Sequence, residues 1–321
     1  MKFGKALAIA LIAVFPLISA LAAEPFPVRP IRMVVGFAPG GGTDLTARPV
    51  AAKLSDLLGQ QVIVENRPGA AGNIATEQVA RSAPDGYTIL MGTIAALAIN
   101  PSLYGNLRFD PETDLAPVIQ VVDSTNVLAL HPSVPASSVQ ELIALAKEKS
   151  LSAGSSGVGA TGHLAIELFN LMSGVKLVHV PYKGGAPAMS DLVGGQVQLV
   201  FATTASAIPH IKSGRIKGIA VTTAKRSALL PDLPTISEAG LAGFDANNWY
   251  GLVVPAKTPR PIIDQLNAEV TKILAMPDVK TTLFNQGLDP APGTPEQFGA
   301  YIKSERTKWA RVIKESGAKA E

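Results

Sequence analysis

GFAPGGGTDL, running from Gly36 to Leu45, follows the apolar run IRMVVGF (31–37), and its reading decides the fold. The run is β-branched and nearly all apolar, the pattern of a strand buried on both faces. Beyond it, TDLTARPVAAKLSDLLG (43–59) carries apolar residues at helical spacing. Thr43 or Asp44 is suited to cap the start of that helix, and Gly59 its end. Pro49 falls early, where a missing N–H does least harm. The stretch is therefore a strand, a glycine-rich turn and a helix. Gly40, Gly41 and Gly42 let a ligand approach the backbone closely. The helix start adds unpaired N–H groups and a partial positive charge, so the expected guest is an anion. The spacing is not that of a Walker loop and no Lys follows, which argues against a nucleoside triphosphate.

Outward from this stretch the chain keeps the same rhythm. QVIVEN (61–66) is a strand, NRPGAAG (66–72) a second glycine-rich turn, 73–82 a helix and YTILMGT (87–93) a third strand. Strands alternating with helices specify a parallel sheet with crossovers. APVIQVVDSTNVLALHPS (116–133) then holds two strands with no helix between them, and reads as the chain leaving one lobe for another. The rhythm restarts: helix 138–149, strand 150–155, helix 163–173, strand 176–182, helix 186–194, strand 197–203, helix 205–213, strand 216–223. NNWYGLVVPA (247–256) reads as a strand returning to the first lobe, and helices over 259–275, 277–286 and 295–316 close the chain. The expectation is an α/β protein of two lobes, each with a central sheet flanked by helices, joined by two crossing strands. Lobe I takes 23–123 and 249–321, and lobe II takes 124–248. Ligands of such sheets sit beyond the C-terminal ends of the strands, here in the cleft between the lobes.

The chain has 321 residues, 47% hydrophobic and 17% charged, ample for two ordinary cores. MKFGK, the apolar run ALAIALIAVFPLIS and the small residues ALA at 20–22 read as a secretory leader over 1–22, cut after Ala22 or Ala23. The competing reading is an uncleaved anchor. Removing Lys2 and Lys5 leaves 26 basic residues against 25 acidic, a net of +1. With no basic cluster and 5% aromatic residues, nucleic acid is not an expected partner. No cysteine is present, so neither lipid attachment at a leader Cys nor a disulfide framework arises. A soluble, exported monomer is expected, without metal or cofactor.

The second lobe repeats the anion device. GSSGVGATGH (154–163) follows a strand and opens a helix, with Ser155, Ser156 and Thr161 as hydroxyl donors. VPYKGG (180–185) brings Tyr182 and Lys183 alongside. Two helix-start anion sites facing one cleft imply a ligand with an anion at each end. Rival readings are weaker. GVGATG (157–162) matches a dinucleotide fingerprint, but no acid follows over 171–190. AGSSG around Ser155 loosely resembles a nucleophile elbow, and His131, His163, His179 and His210 are possible bases, yet nothing in the sequence ties one of them to Ser155. His163 and Glu167 stand four apart and could share a metal, although a satisfied surface pair is the simpler reading. Arg67 either clamps a carboxylate or buttresses its turn.

GFAPGGGTD, VIVENRPGAAGNIA, PDGYTILMGT, INPSLY, SSGVGATGHLAIELF, HVPYKGGAPAMSDLVGGQV and AVTTAKRSALLPDLPTISEAG stand in order along the chain. Together they resemble the Bug family, periplasmic solute-binding proteins of tripartite tricarboxylate transporters. The resemblance implies a type II periplasmic-binding-protein fold with hinge closure, a small carboxylate ligand, an inner-membrane permease as partner, and no catalysis. It implies a first-lobe carboxylate site over Phe37, Ala38, Pro39, Gly40, Gly41, Gly42 and Asp44, through backbone amides and ordered water, lined by the loop at Gly92 and Thr93. It implies a second-lobe site over Ser155, Ser156, Gly157, Thr161 and His163, with Tyr182, Lys183 and Gly184 beside it. Two places depart from the family pattern: IAAL (94–97) stands where polar residues are common, and Ala202, followed by Thr203, where an Asp is frequent. If Ile94, Leu97 and Ala202 line the cleft, they favour an apolar spacer: a simple dicarboxylate or aromatic acid over amino acids and citrate. The alternative function is an exported serine hydrolase using Ser155.

Overall fold

The structure is a computed structural model that describes residues 26–320. The leader expected over 1–22, and its cleavage point, lie outside the described residues. The chain builds one sheet, leaves it to build a second, and returns. It begins with β1 (Ile31–Val35), α1 (Gly42–Leu58), β2 (Val62–Asn66), α2 (Asn73–Ala80), β3 (Thr88–Thr93), α3 (Asn100–Leu103), α4 (Pro111–Asp114) and β4 (Leu115–Ser124). The second sheet follows with β5 (Asn126–Leu130), α5 (Val139–Glu148), β6 (Ser152–Ser155), α6 (Thr161–Ser173), β7 (Val178–Pro181), α7 (Gly185–Val193), β8 (Leu199–Thr203), α8 (Thr204–Lys212) and β9 (Lys217–Val221). β10 (Asn248–Pro255), α9 (Arg260–Ala275), α10 (Pro277–Asn285), β11 (Leu288–Pro290) and α11 (Pro295–Ser316) complete the first lobe.

The first sheet runs β11-β4-β10-β3-β1-β2 and the second β7-β6-β8-β5-β9. In each, three strands are parallel and the strand that joins the lobes lies antiparallel beside them: β10 against β3 and β5 against β8. β1 thus corresponds to β6, β3 to β8, and β10 to β5. Only Thr125 separates the last strand of the first sheet from the first strand of the second. Ser124 and Asn248, expected in lobe II, pair with each other inside the first sheet.

The helix expected over 43–59 forms because Thr46, Ala47, Val50, Ala51 and Leu54 fall on one face and bury against β1. Its N-cap, however, is Gly41 rather than Thr43 or Asp44, and Gly59 closes it at φ 66. α11 straps the lobes together, packing on β4 and on α6. Its Trp309 is 0% exposed and Phe298 1%, and truncating either to Ala would cost about 3–5 kcal/mol. Phe298 approaches Gly251 so closely that a Cβ there would sit 2.2 Å from the ring.

The turn Ala95–Ile99 is a π-helix that runs into α3 and packs against α11. Ile94 and Leu97 belong to the large apolar core, at 0% and 1% exposure. Ala202 lies in a smaller core beneath α7 and α8. All three side chains pack inside apolar cores, which removes the ground for expecting an apolar spacer. Strand alternation turns Ala202 away from the α6 side of its sheet, and the π-turn carries Leu97 inward.

Candidate functional site: two pinned helix starts

Two strand-to-helix turns make up the candidate site, one after β1 and one after β6, at corresponding places in the two sheets. In the first, Ala38, Pro39, Gly40 and Gly41 are exposed, and the first turn of α1 offers N–H groups that have no helical acceptor. Gly42 has no room for a side chain, because a Cβ there would meet the Tyr250 hydroxyl at 2.6 Å. That hydroxyl is fully buried and grouped with Asn248, Ser124 and Thr43, and burial raises its pKa. The second glycine-rich turn supports the first: a Cβ on Gly36 would lie 2.7 Å from the Cα of Gly72. Beside it Ala70 and Ala71 adopt φ 47 and φ 51, a left-handed conformation rare for residues with side chains.

Asp44 is 2% exposed and engages four donors within the protein. Its carboxylate accepts from the N–H of Gly40 at 2.9 Å, from Arg48 Nε and Nη2 at 2.8 and 2.9 Å, and from Asn66 Nδ2 at 2.9 Å. Burial alone would raise its pKa; the hydrogen bonds from Arg48, Gly40 and Asn66 outweigh it and hold the carboxyl below its usual range. Asp44 shapes the loop. Arg67 pairs with Glu65 on the surface, which matches the buttressing role and not the clamp.

The second turn uses a histidine in the same place. Three residues into α6, His163 Nδ1 accepts the N–H of Gly159 at 3.2 Å. The His163 ring stacks on His179 of β7, centroids 4.2 Å apart at 18°, and His179 Nε2 lies 2.6 Å from Ser155 Oγ. Ser155 is 0% exposed and its Oγ also accepts the N–H of Gly157 at 3.1 Å. The sequence did not link Ser155 to a histidine; the β6–β7 pairing does. Burial pushes both imidazoles down to about 4, His163 further disfavoured by its neighbour's charge, so both are neutral near pH 7. His163 and Glu167, read as a surface pair, are instead buried or half-buried at 3.7 Å, and burial raises the Glu167 carboxyl. Among the described residues no cluster of three metal-ligating side chains occurs.

Thr161 opens α6 and is 7% exposed, while Ser156 and Lys183 are exposed at the rim. Gly157 and Gly184 take φ 133 and φ 136. Tyr182 donates its hydroxyl to Asp191 at 2.6 Å, and burial with that acid pushes it up to about 12. Thr203 Oγ1 bonds Ser206 Oγ at 3.0 Å. Thr93, its counterpart on β3, is 5% exposed, and its hydroxyl has no hydrogen-bond partner among the described residues. The lobes touch at this site: a Cβ on Gly159 would meet Asn100, Leu103 and Ala71 of the first lobe at 2.8–3.5 Å.

The sequence profile of the tripartite tricarboxylate transporter family receptor matches residues 46–318. The protein BugT of Bordetella pertussis is 38% identical over 302 residues, covering 93% of both chains. A solved R. palustris structure with adipate is 39% identical at a TM-score of 0.86, covering 91% of this chain and 98% of that one. MatC from Rhodopseudomonas palustris with bound malate is 32% identical at a TM-score of 0.83, covering 90% and 100%. With its two lobes and paired helix-start turns, the chain belongs to the tripartite tricarboxylate transporter family of periplasmic receptors, alongside the Bug proteins.

Proposed function

We propose that this receptor captures a small dicarboxylate between its lobes and delivers it to a tripartite tricarboxylate-type permease in the inner membrane. The observation that carries the reading is the pair of helix-start turns at corresponding positions of the two sheets, in contact across the cleft at Gly159. One carboxylate meets the backbone of Phe37 to Gly42 and the start of α1. The other meets Ser155 to Thr161 and the start of α6, beside Tyr182 to Gly184. Asp44 and His163 hold these turns in shape, and Thr93 and Thr203 stand at the ends of their strands. A hydrogen bond from a neutral donor to a charged group contributes roughly 1.5–3 kcal/mol. Backbone donors supply this without the desolvation cost of a buried ion pair. The protein works as a monomer exported by its leader, and its lobes rotate about the crossings near Thr125 and Asn247. Relatives that bind adipate and malate support the ligand class. Melting curves and calorimetry with adipate, malate and an aromatic acid test it. Ligand at a hundred times its Kd stabilises by about 2.7 kcal/mol, and Ser155→Ala weakens binding. No response to any carboxylate would overturn it.

The 2.6 Å contact between Ser155 and His179 favours a second reading, an exported serine hydrolase. Against it, Ser155 is 0% exposed, and among the described residues no acid is hydrogen-bonded to the His179 ring as a triad requires. Turnover of an ester, abolished in Ser155→Ala, would establish it.

A further inference from the structure

We infer that Asn100 is a positioning residue for capture: it fastens the turn behind the first anion site to Gly159 of the second, and so sets how long the lobes stay together on a ligand; this rests on the carboxylate-capture reading above. Asn100 opens α3 and is 0% exposed, at the end of the apolar run IAALAI (94–99). A polar side chain buried in such a place needs partners. Its Nδ2 donates to Asn73 Oδ1 at 2.7 Å and to Ala71 O at 3.3 Å. A main-chain oxygen only accepts, so Nδ2 faces Ala71 and Oδ1 faces the other way. The two bonds pin the turn in which Ala71 and Gly72 take φ 51 and φ 92. The same turn backs the first anion site. A Cβ on Gly36 would lie 2.7 Å from Gly72 Cα, and a Cβ on Gly72 would lie 3.4 Å from the Phe37 ring.

Oδ1 takes no part in holding that turn. Among the described residues it has no hydrogen-bond partner, and it lies against the second lobe. A Cβ on Gly159 would stand 2.8 Å from Asn100 Oδ1, with Leu103 and Ala71 at 3.1 and 3.5 Å. Gly159, at φ 80, is the residue whose N–H reaches His163 in the second anion turn. Glycine permits the approach, since it brings no side chain and adopts positive φ without strain. One amide therefore touches both halves of the site: Nδ2 on the turn behind Gly36 and Phe37, Oδ1 on the turn between Ser155 and Thr161. A ligand first met by one lobe does not need this contact. A ligand held by both is released only when the contact parts, so the effect of Asn100 falls on dissociation rather than association.

Surface plasmon resonance on the immobilised protein separates the two rates, with malate as the probe and adipate in its place if malate gives no response. Asn100→Ala is expected to raise the dissociation rate by roughly five- to tenfold and to leave the association rate within about twofold. Gly159→Ala raises it by a similar factor. The two together raise it by less than the product of the single effects, because removing the amide makes room for the methyl. A residue that only supports the first lobe would lower the melting temperature of the ligand-free protein and leave the dissociation rate unchanged. That result overturns the inference, as do single effects that multiply in the double variant, or a loss confined to the association rate. Should Asn100→Ala fail to fold, an unchanged dissociation rate in Gly159→Ala overturns it. If the unmutated protein binds neither malate nor adipate, the carboxylate reading itself falls and the inference with it.

Discussion

Replacing His163 by Asn removes a titrating group while keeping an acceptor near the position of Nδ1, so Gly159 keeps its partner. In the folded protein burial holds His163 at about 4; an unfolded chain restores about 6.5. Between these values the unfolded state binds the extra proton, so stability is complete above pH 6.5 and drains away as pH falls toward 4. At pH 5 the loss from His163 alone is about 2 kcal/mol. His179, also near 4 but less buried, adds about 1 kcal/mol after discounting for solvent. Glu167, Asp123 and Asp289, whose carboxyls burial raises, act in the opposite direction, and both proteins share them. The difference between the two proteins therefore reports His163 together with its direct neighbours, the stacked His179 and Glu167 at 3.7 Å. Asn costs about 1–2 kcal/mol at pH 7.5 through lost ring packing, and at pH 5 the gap closes by about 2 kcal/mol. At roughly 2–4 °C per kcal/mol for a chain of this size class, ligand-free melting temperatures converge by about 4–8 °C. Melting curves that stay equally spaced at both pH values would refute a buried neutral His163.

Asp44→Ala leaves Gly40 N–H without its acceptor and Asn66 Nδ2 with Phe37 O alone; with Arg48 half exposed and able to rehydrate, the expected loss is about 1–3 kcal/mol by denaturant titration. Gly42→Ala forces a methyl to within 2.6 Å of the Tyr250 hydroxyl and destabilises by about 1–3 kcal/mol. In a Tyr250→Phe background the nearest remaining ring atom is 3.4 Å away, so the same change costs less, which a double-mutant cycle reads directly. Small-angle scattering should show a smaller radius of gyration with malate at saturation than without; an unchanged radius would count against hinge closure.

Most of the fold was legible because its signals are local. Period-two and period-3.6 patterns with Gly and Pro at the boundaries place nearly every strand and long helix within two residues of where it lies. The π-turn at Ala95–Ile99 was not legible, since AALAI is apolar all round and shows no face. The packing of 94–97 into the core was not legible for the same reason: the turn packs against α11, about two hundred residues later in the chain. The glycine turns of the site were legible as helix starts. The residues behind them were not, because Tyr250 under Gly42 and His179 beside Ser155 arrive through strand pairing at long range. A trace of the second contact was present, since His179 sits on the strand next after Ser155 in an alternating pattern, but pattern alone does not give its face.

The two turns show how one backbone solution is reached with different chemistry. In α1 the third helical residue, Asp44, reaches back to the N–H of Gly40; in α6 the third helical residue, His163, reaches back to the N–H of Gly159. Each removes one donor from the fan of free N–H groups and so fixes the direction of the rest. The choice of side chain then matters electrostatically. A carboxylate at a helix start competes with an anionic ligand, and Asp44 is tolerable there because Arg48 and Asn66 compensate it. A neutral imidazole carries no such charge, so the second turn presents its donors without a compensating cation. The structure therefore expects the second turn to be the more strongly anion-attracting of the two near pH 7. If so, ligands bearing one carboxylate should depend more on the second turn than on the first. With a monocarboxylate probe, Ser155→Ala should weaken binding by a larger factor than Gly41→Ala, whose added Cβ lies 3.6 Å from Ala38 O and fits without strain. A larger loss from Gly41→Ala would show that the charge of Asp44 is fully cancelled and that the asymmetry has no consequence for capture.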